Sequence, residues 1–270
     1  EQDYQEAIER YTEALKITPD DLSLLRSRSH AFIKLRNYDK ALRDVNRMLR
    51  KSPYNLDSIE LRGTIYTGLH QYHSAVEDFT YVINSPTAKR KWWAYYERAI
   101  YSMHINLPLA VHDFTLLIEL NEDPNYLYRL YKGRGNTYKQ LGEINKAIND
   151  YIKSIELKSD NIAAYQELAR LYWQQAKYDN VLDTLNTLIE LDPQEIDHIT
   201  FRGRLYCKLH QYHKAIIDYQ LALKLNPTAY HLHNELAFFY PHLNEIEKAL
   251  HHVTIAIERS SPLSAYFDTR

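Results

Sequence analysis

Four arginines stand sixteen residues ahead of four aspartates: Arg28 and Asp44, Arg62 and Asp78, Arg134 and Asp150, Arg202 and Asp218. A planar guanidinium meets a carboxylate through two parallel hydrogen bonds, so such a pair can serve a reaction or clamp two elements together. Recurrence favours the clamp, because a reacting group is needed once and this pair is copied four times along the chain. Where Leu168 and Leu236 replace the arginine, Thr184 and His252 replace the aspartate, so the two members come and go together. A shifted version is expected at Glu97 and Arg98, which face Asp113. The histidines offer a different chemistry. His70 with His73 and His210 with His213 have the spacing of metal ligands, but no carboxylate or cysteine stands near to complete a set, and both pairs read as solvated turns. Cys207 is the only cysteine, which excludes an internal disulfide and a cysteine-built zinc site. Phosphate-loop, nucleophile-elbow and metalloprotease motifs are absent. No catalytic residue, metal or cofactor is assigned, and the chain reads as a non-enzyme.

The elements that position these residues repeat. Ala7, Ala41, Ala75, Ala110, Ala147, Val181, Ala215 and Ala249 follow one another at 34, 34, 35, 37, 34, 34 and 34 residues. Ahead of them run a small residue (Ser29, Gly63, Gly135, Ala169, Gly203 or Ala237, broken only by Arg98) and, three residues later, an aromatic: Phe32, Tyr66, Tyr101, Tyr138, Tyr172, Tyr206 or Tyr240. Prolines such as Pro19, Pro53, Pro193 and Pro227 end the units. This pattern resembles the tetratricopeptide repeat over the whole chain. The resemblance implies an all-α fold, a right-handed superhelix of helix-turn-helix repeats. It sets a half repeat at 1–21, full repeats at 22–55, 56–90, 91–127, 128–161, 162–195, 196–229 and 230–263, and the start of a truncated repeat at 264–270. Such ragged ends suggest an excised piece of a longer array. The repeat also accounts for most of the 24 tyrosines, sixteen of which take framework positions.

Composition narrows the function. The chain has 45% hydrophobic residues, a net charge of -2 and no apolar run long enough for a bilayer, so it reads as soluble, without overall attraction to nucleic acid or anionic lipid. One cysteine and no visible leader suggest a cytoplasmic setting. In the family, the first helix of each repeat lines a concave groove that holds a peptide or a partner's projecting element. Carried onto this sequence, the resemblance places Trp92, Tyr95, Tyr96, Arg129, Lys132, Asn136, Arg170, Trp173, Phe201 and Arg204 in the middle of that groove. Its lining carries eight basic and five acidic residues, about +3. Aromatic and arginine side chains dominate interface hot spots, so the expectation is a protein-binding module, acting as scaffold, adaptor or dedicated regulator of a partner enzyme. Single-stranded RNA is the alternative ligand, since bases stack on aromatics and phosphates meet cations; the interspersed Asp57, Glu60, Glu167 and Asp197 weigh against it. Lys132 and Asn136 match part of the carboxylate clamp of the co-chaperone branch, but Glu167, Asp197 and Phe201 stand at the remaining positions, so a chaperone tail is disfavoured.

Overall fold

A computed structural model describes residues 2–89 and 91–260, and in them every regular element is helical. Helix α1 (Gln2–Ile17) is followed by hairpins of α2 (Leu22–Lys34) with α3 (Tyr38–Lys51), α4 (Leu56–Gly68) with α5 (Tyr72–Asn84), and α6 (Lys91–Ser102) with α7 (Leu107–Leu120). Then come α8 (Leu127–Gln140) with α9 (Ile144–Leu157), α10 (Ile162–Gln174) with α11 (Tyr178–Leu191), α12 (Ile196–Lys208) with α13 (Tyr212–Leu225), and α14 (His231–Phe239) with α15 (Ile246–Ser260). Short 3-10 turns, Pro124–Tyr126 and Tyr240–Leu243, precede α8 and follow α14. The helices group into two compact units divided between Ser154 and Ile155, within α9. The truncated repeat expected at 264–270 lies outside the described residues.

Each hairpin closes where the sequence is smallest. A Cβ on Gly203 would stand 2.9 Å from the Tyr219 ring, and one on Gly135 would stand 3.1 Å from Tyr151, so the missing side chain sets how closely the two helices approach. A left-handed residue ends the first helix of six repeats: Arg36, His70, Gly142, Ala176, His210 and Asn244. It reverses the chain within three or four residues, and only Gly142 has no Cβ to strain.

Between α6 and α7 no such residue occurs. From its arginine to its aspartate this hairpin is one residue shorter than the others, fifteen against sixteen, which moves α6 forward by one place against the repeat. Arg98 therefore stands at the arginine position, donating from Nε and Nη2 to Asp113 at 2.7 and 2.8 Å, and Ala99 is the small residue. Tyr101 stacks on Tyr72 and Phe79 as Phe239 stacks on Tyr212 and Tyr219, and His104 lies on Tyr72 as His242 lies on Tyr212, both at 4.4 Å.

The ion pairs join helices within a repeat and also join repeats to each other. Arg28, Arg62, Arg134 and Arg202 each hold their aspartate through two bonds of 2.6 to 2.9 Å. The remaining Nη1 of Arg28, Arg98, Arg134 and Arg202 donates back to the preceding second helix, at Thr12, Thr80, Thr115 and Asn186. Ile152 and Gln220 occupy that position ahead of the two leucine repeats, and Gln220 donates instead to the Tyr240 hydroxyl at 2.7 Å. In four of the five repeats that carry it the arginine is thus a three-point staple, while Arg62 holds Asp78 alone.

Candidate functional site

In the first unit the opening turn of α6 gathers aromatic rings. Trp92 and Tyr96 lie nearly parallel at 5.6 Å, Trp93 stacks on Tyr96 at 5.4 Å, and Tyr126 meets Trp92 and Tyr96 edge-on. The Arg129 guanidinium covers Tyr126 at 5.1 Å and donates from Nε to the Tyr128 hydroxyl at 2.9 Å, so this exposed cation is held in place by tyrosines. Burial raises the Tyr96 hydroxyl above its ordinary value, with Arg129 opposing. One turn along α8, Lys132 is half-buried with no ion pair among the described residues. Asn136 turns its side-chain oxygen inward to accept from the Tyr151 hydroxyl at 2.7 Å.

The shifted register of α6 changes which rings face outward. Tyr95 sits beneath Arg98 at 5.3 Å, the relation Tyr131 has to Arg134 at 5.5 Å, and packs with the framework. Trp92 opens the helix against the core and buries its indole N–H without a partner among the described residues. Trp93 and Tyr96 take the corresponding outward places, followed by Glu97, a residue absent from the expected lining. Glu97 brings the charge of that lining to about +2. Burial, and then the negative charge of Glu60, push its carboxyl up to about 7. Before Glu97, Arg26, His30 and Lys34 face Asp57 and Glu60 across a cleft of about 350 Å³. The Arg26 to Asp57 bridge spans it at 3.1 Å.

In the second unit α10 and α12 form a cleft of about 370 Å³. Its walls are Trp173 and Phe201, 5.4 Å apart and inclined by 56°, with the Arg204 guanidinium 5.3 Å over Phe201. Arg170 stands at the rim, bridged to Glu167 at 3.3 Å. Behind them Gln166 shares a 2.9 Å hydrogen bond with Nε2 of buried His198, which the expected lining omitted because a histidine on an inward helical face gives no signal of its own. Burial pushes the half-buried Cys207 thiol up to about 11, against a weak bond to the Tyr219 hydroxyl, which favours the thiol over the thiolate. Among the described residues no group of His, Cys, Asp and Glu could hold a metal ion, and no helix is long and apolar enough to cross a membrane.

Stacked helix hairpins with outward aromatic and cationic side chains define the class, an α-solenoid scaffold for protein interaction. Family models described as "TPR repeat" and "Tetratricopeptide repeat" match residues 1–55, 135–176, 162–195 and 200–229, and the chain belongs to the tetratricopeptide repeat family. Human Tetratricopeptide repeat protein 13 is 28% identical over 63% of this chain and 20% of its own length. The Hsp70-Hsp90 organizing protein of Triticum aestivum is 23% identical over 84% of this chain and 39% of its own. The chain therefore spans less than half the length of either relative. Among solved structures, the C-terminal part of a TPR repeat-containing protein from Cytophaga hutchinsonii superposes with a TM-score of 0.70 at 20% identity, covering 85% of this chain and 93% of that one. The protein MamA superposes at 0.56 and 22% identity, over 64% and 93%. Both show the fold.

Proposed function

We propose that the chain binds a partner protein through the lining of its first helices, using aromatic side chains flanked by cations, and that it tethers or regulates that partner without catalysis. The observation that supports this most is the cleft of α10 and α12. There Trp173 and Phe201 expose a tilted aromatic slot, while Arg204 lies over Phe201 and Arg170, bridged to Glu167, stands at the edge. In the first unit Trp93, Tyr96, Arg129 and Lys132 supply the same combination. Trp92 and Tyr95 support them from behind. Aromatic surface of this kind gives binding energy at low entropic cost, and arginine adds directional hydrogen bonds.

The Hsp70-Hsp90 organizing relative raises the question of a chaperone tail. Asn136 is engaged by Tyr151, and Glu167 and Asp197 would repel a terminal carboxylate, so these residues support a different ligand. Affinity capture from cell extract with the wild-type chain and with Trp173→Ala/Arg204→Ala is the test. The expected result is loss of a discrete set of proteins from the variant; equal recovery by both would remove the site from these residues.

A further inference from the structure

The chain has a net charge of -2, yet residues 22–55 hold nine lysines and arginines against two aspartates. Arg26 and Lys34 belong to the cleft already described, and Arg28 is neutralised by buried Asp44. Lys40 lies over Phe32 at 5.6 Å, as Lys146, Lys214 and Lys248 lie over their own repeat's tyrosine, so it is framework. What remains is a stripe outside the groove: Arg36 in the turn, then Arg43, Arg47 and Arg50 along α3, with Lys51 beside the last. Arg36, Arg43 and Arg50 are exposed and form no ion pair among the described residues. Arg47 and Lys51 share one carboxylate, Asp20, at 2.9 and 3.2 Å.

No other second helix carries this stripe. At the places of Arg43, Arg47 and Arg50, α5 has Glu77, Tyr81 and Asn84, and α11 has Asp183, Thr187 and Glu190. The preceding helix α1 has Glu9, Glu13 and Lys16 at those three places, and Lys16 is paired with Glu13 at 2.6 Å. The cationic surface is therefore one helix wide, with carboxylates on the second helices to either side. That width selects among anionic partners. A lipid surface or a nucleic-acid duplex would bring further phosphates against Glu9, Glu13 and Glu77. A single RNA strand would need rings to stack on, and Tyr54, 79% exposed, stands beyond the end of α3. Successive arginines three and four residues apart rise about 4.5 to 6 Å along the axis, the spacing of carboxylates on one face of another helix.

We propose that the outer face of α3 is a second docking surface, which takes an acidic α-helix of a partner protein independently of the groove. Long-range steering and salt sensitivity follow from unscreened surface charge. The test is fluorescence anisotropy of the full chain with a labelled alanine-rich helical peptide bearing glutamates three and four residues apart, with oligouridine and phosphatidylserine vesicles as competing probes. The acidic peptide is expected to bind at low salt, to weaken at least fivefold in Arg43→Ser/Arg50→Ser, and to bind Trp173→Ala unchanged. Circular dichroism checks that the double variant keeps its fold. Absence of peptide binding at low salt, equal binding by the arginine variant, or tighter binding of oligouridine or vesicles would each overturn the proposal.

Discussion

Glu97 shows how one side chain can carry a cost the repeat pattern conceals. The shorter span from Arg98 to Asp113 brings it to an outward place of the groove, where burial and Glu60 hold its carboxyl up to about 7. A carboxyl with a raised folded value contributes stability below its unfolded value of 4.5, and that contribution is lost as pH rises through about 7. Glu97→Gln is therefore expected to stabilise the first unit by about 1 to 2 kcal/mol at pH 8, after allowing for solvent screening, and to change little at pH 4. Denaturant titration at the two values checks this; equal effects at both would refute the assignment. The sequence made Arg98 visible as the break in the small-residue series and suggested its shifted partner Asp113. It did not reveal that the shift carries the neighbouring rings with it. Tyr95 and Trp92 read as groove residues only while the period is held rigid, and the residue missing between Arg98 and Asp113 gives no signal for the rings that shift with it.

At the scale of elements, the hairpin of α14 and α15 lacks the arginine and aspartate, as that of α10 and α11 does, but it puts a histidine where α11 has Thr184. His252, at the aspartate's place, meets His233 with Nδ1 atoms 2.7 Å apart and lies flat on Tyr240. One ring must donate and the other accept, so the pair holds a single bridging proton. Burial first, then the charges of His233 and His251, lower His252 to about 4, and burial lowers His233. A depressed histidine costs nothing above its unfolded value near 6.5 and destabilises the fold as pH falls from there toward about 4. Hydrogen-exchange protection in α14 and α15, corrected for the intrinsic exchange rate at each pH, is expected to fall over that window in the wild type, and less so in His233→Gln. Identical loss of protection in both would contradict the pairing. Helix boundaries and ion pairs were legible because they recur. A histidine pair that occurs once, in place of the repeated motif, offers no second copy from which to read it.

For the whole molecule, framework and surface are distinct. Three-point arginine staples, glycine contacts and left-handed turns explain why arginine, tyrosine and glycine recur, and they leave a small remainder free to act. That remainder is the outward side of α6 and α8 in one unit, the cleft of α10 and α12 in the other, and the basic face of α3. The period makes the staples legible, but the sequence leaves the two proposed binding surfaces only half legible. Their members Arg129, Trp173, Phe201 and Arg204 were nameable from repeat position, whereas Gln166's bond to His198 and the tyrosine support of Arg129 depend on packing between neighbouring helices. Hydrogen exchange of the chain with and without a captured partner tests the central claim most directly. The account predicts added protection in α6, α8, α10 and α12, centred on Tyr96, Arg129, Trp173 and Phe201. Protection confined to second helices, with those four first helices unchanged, would contradict it.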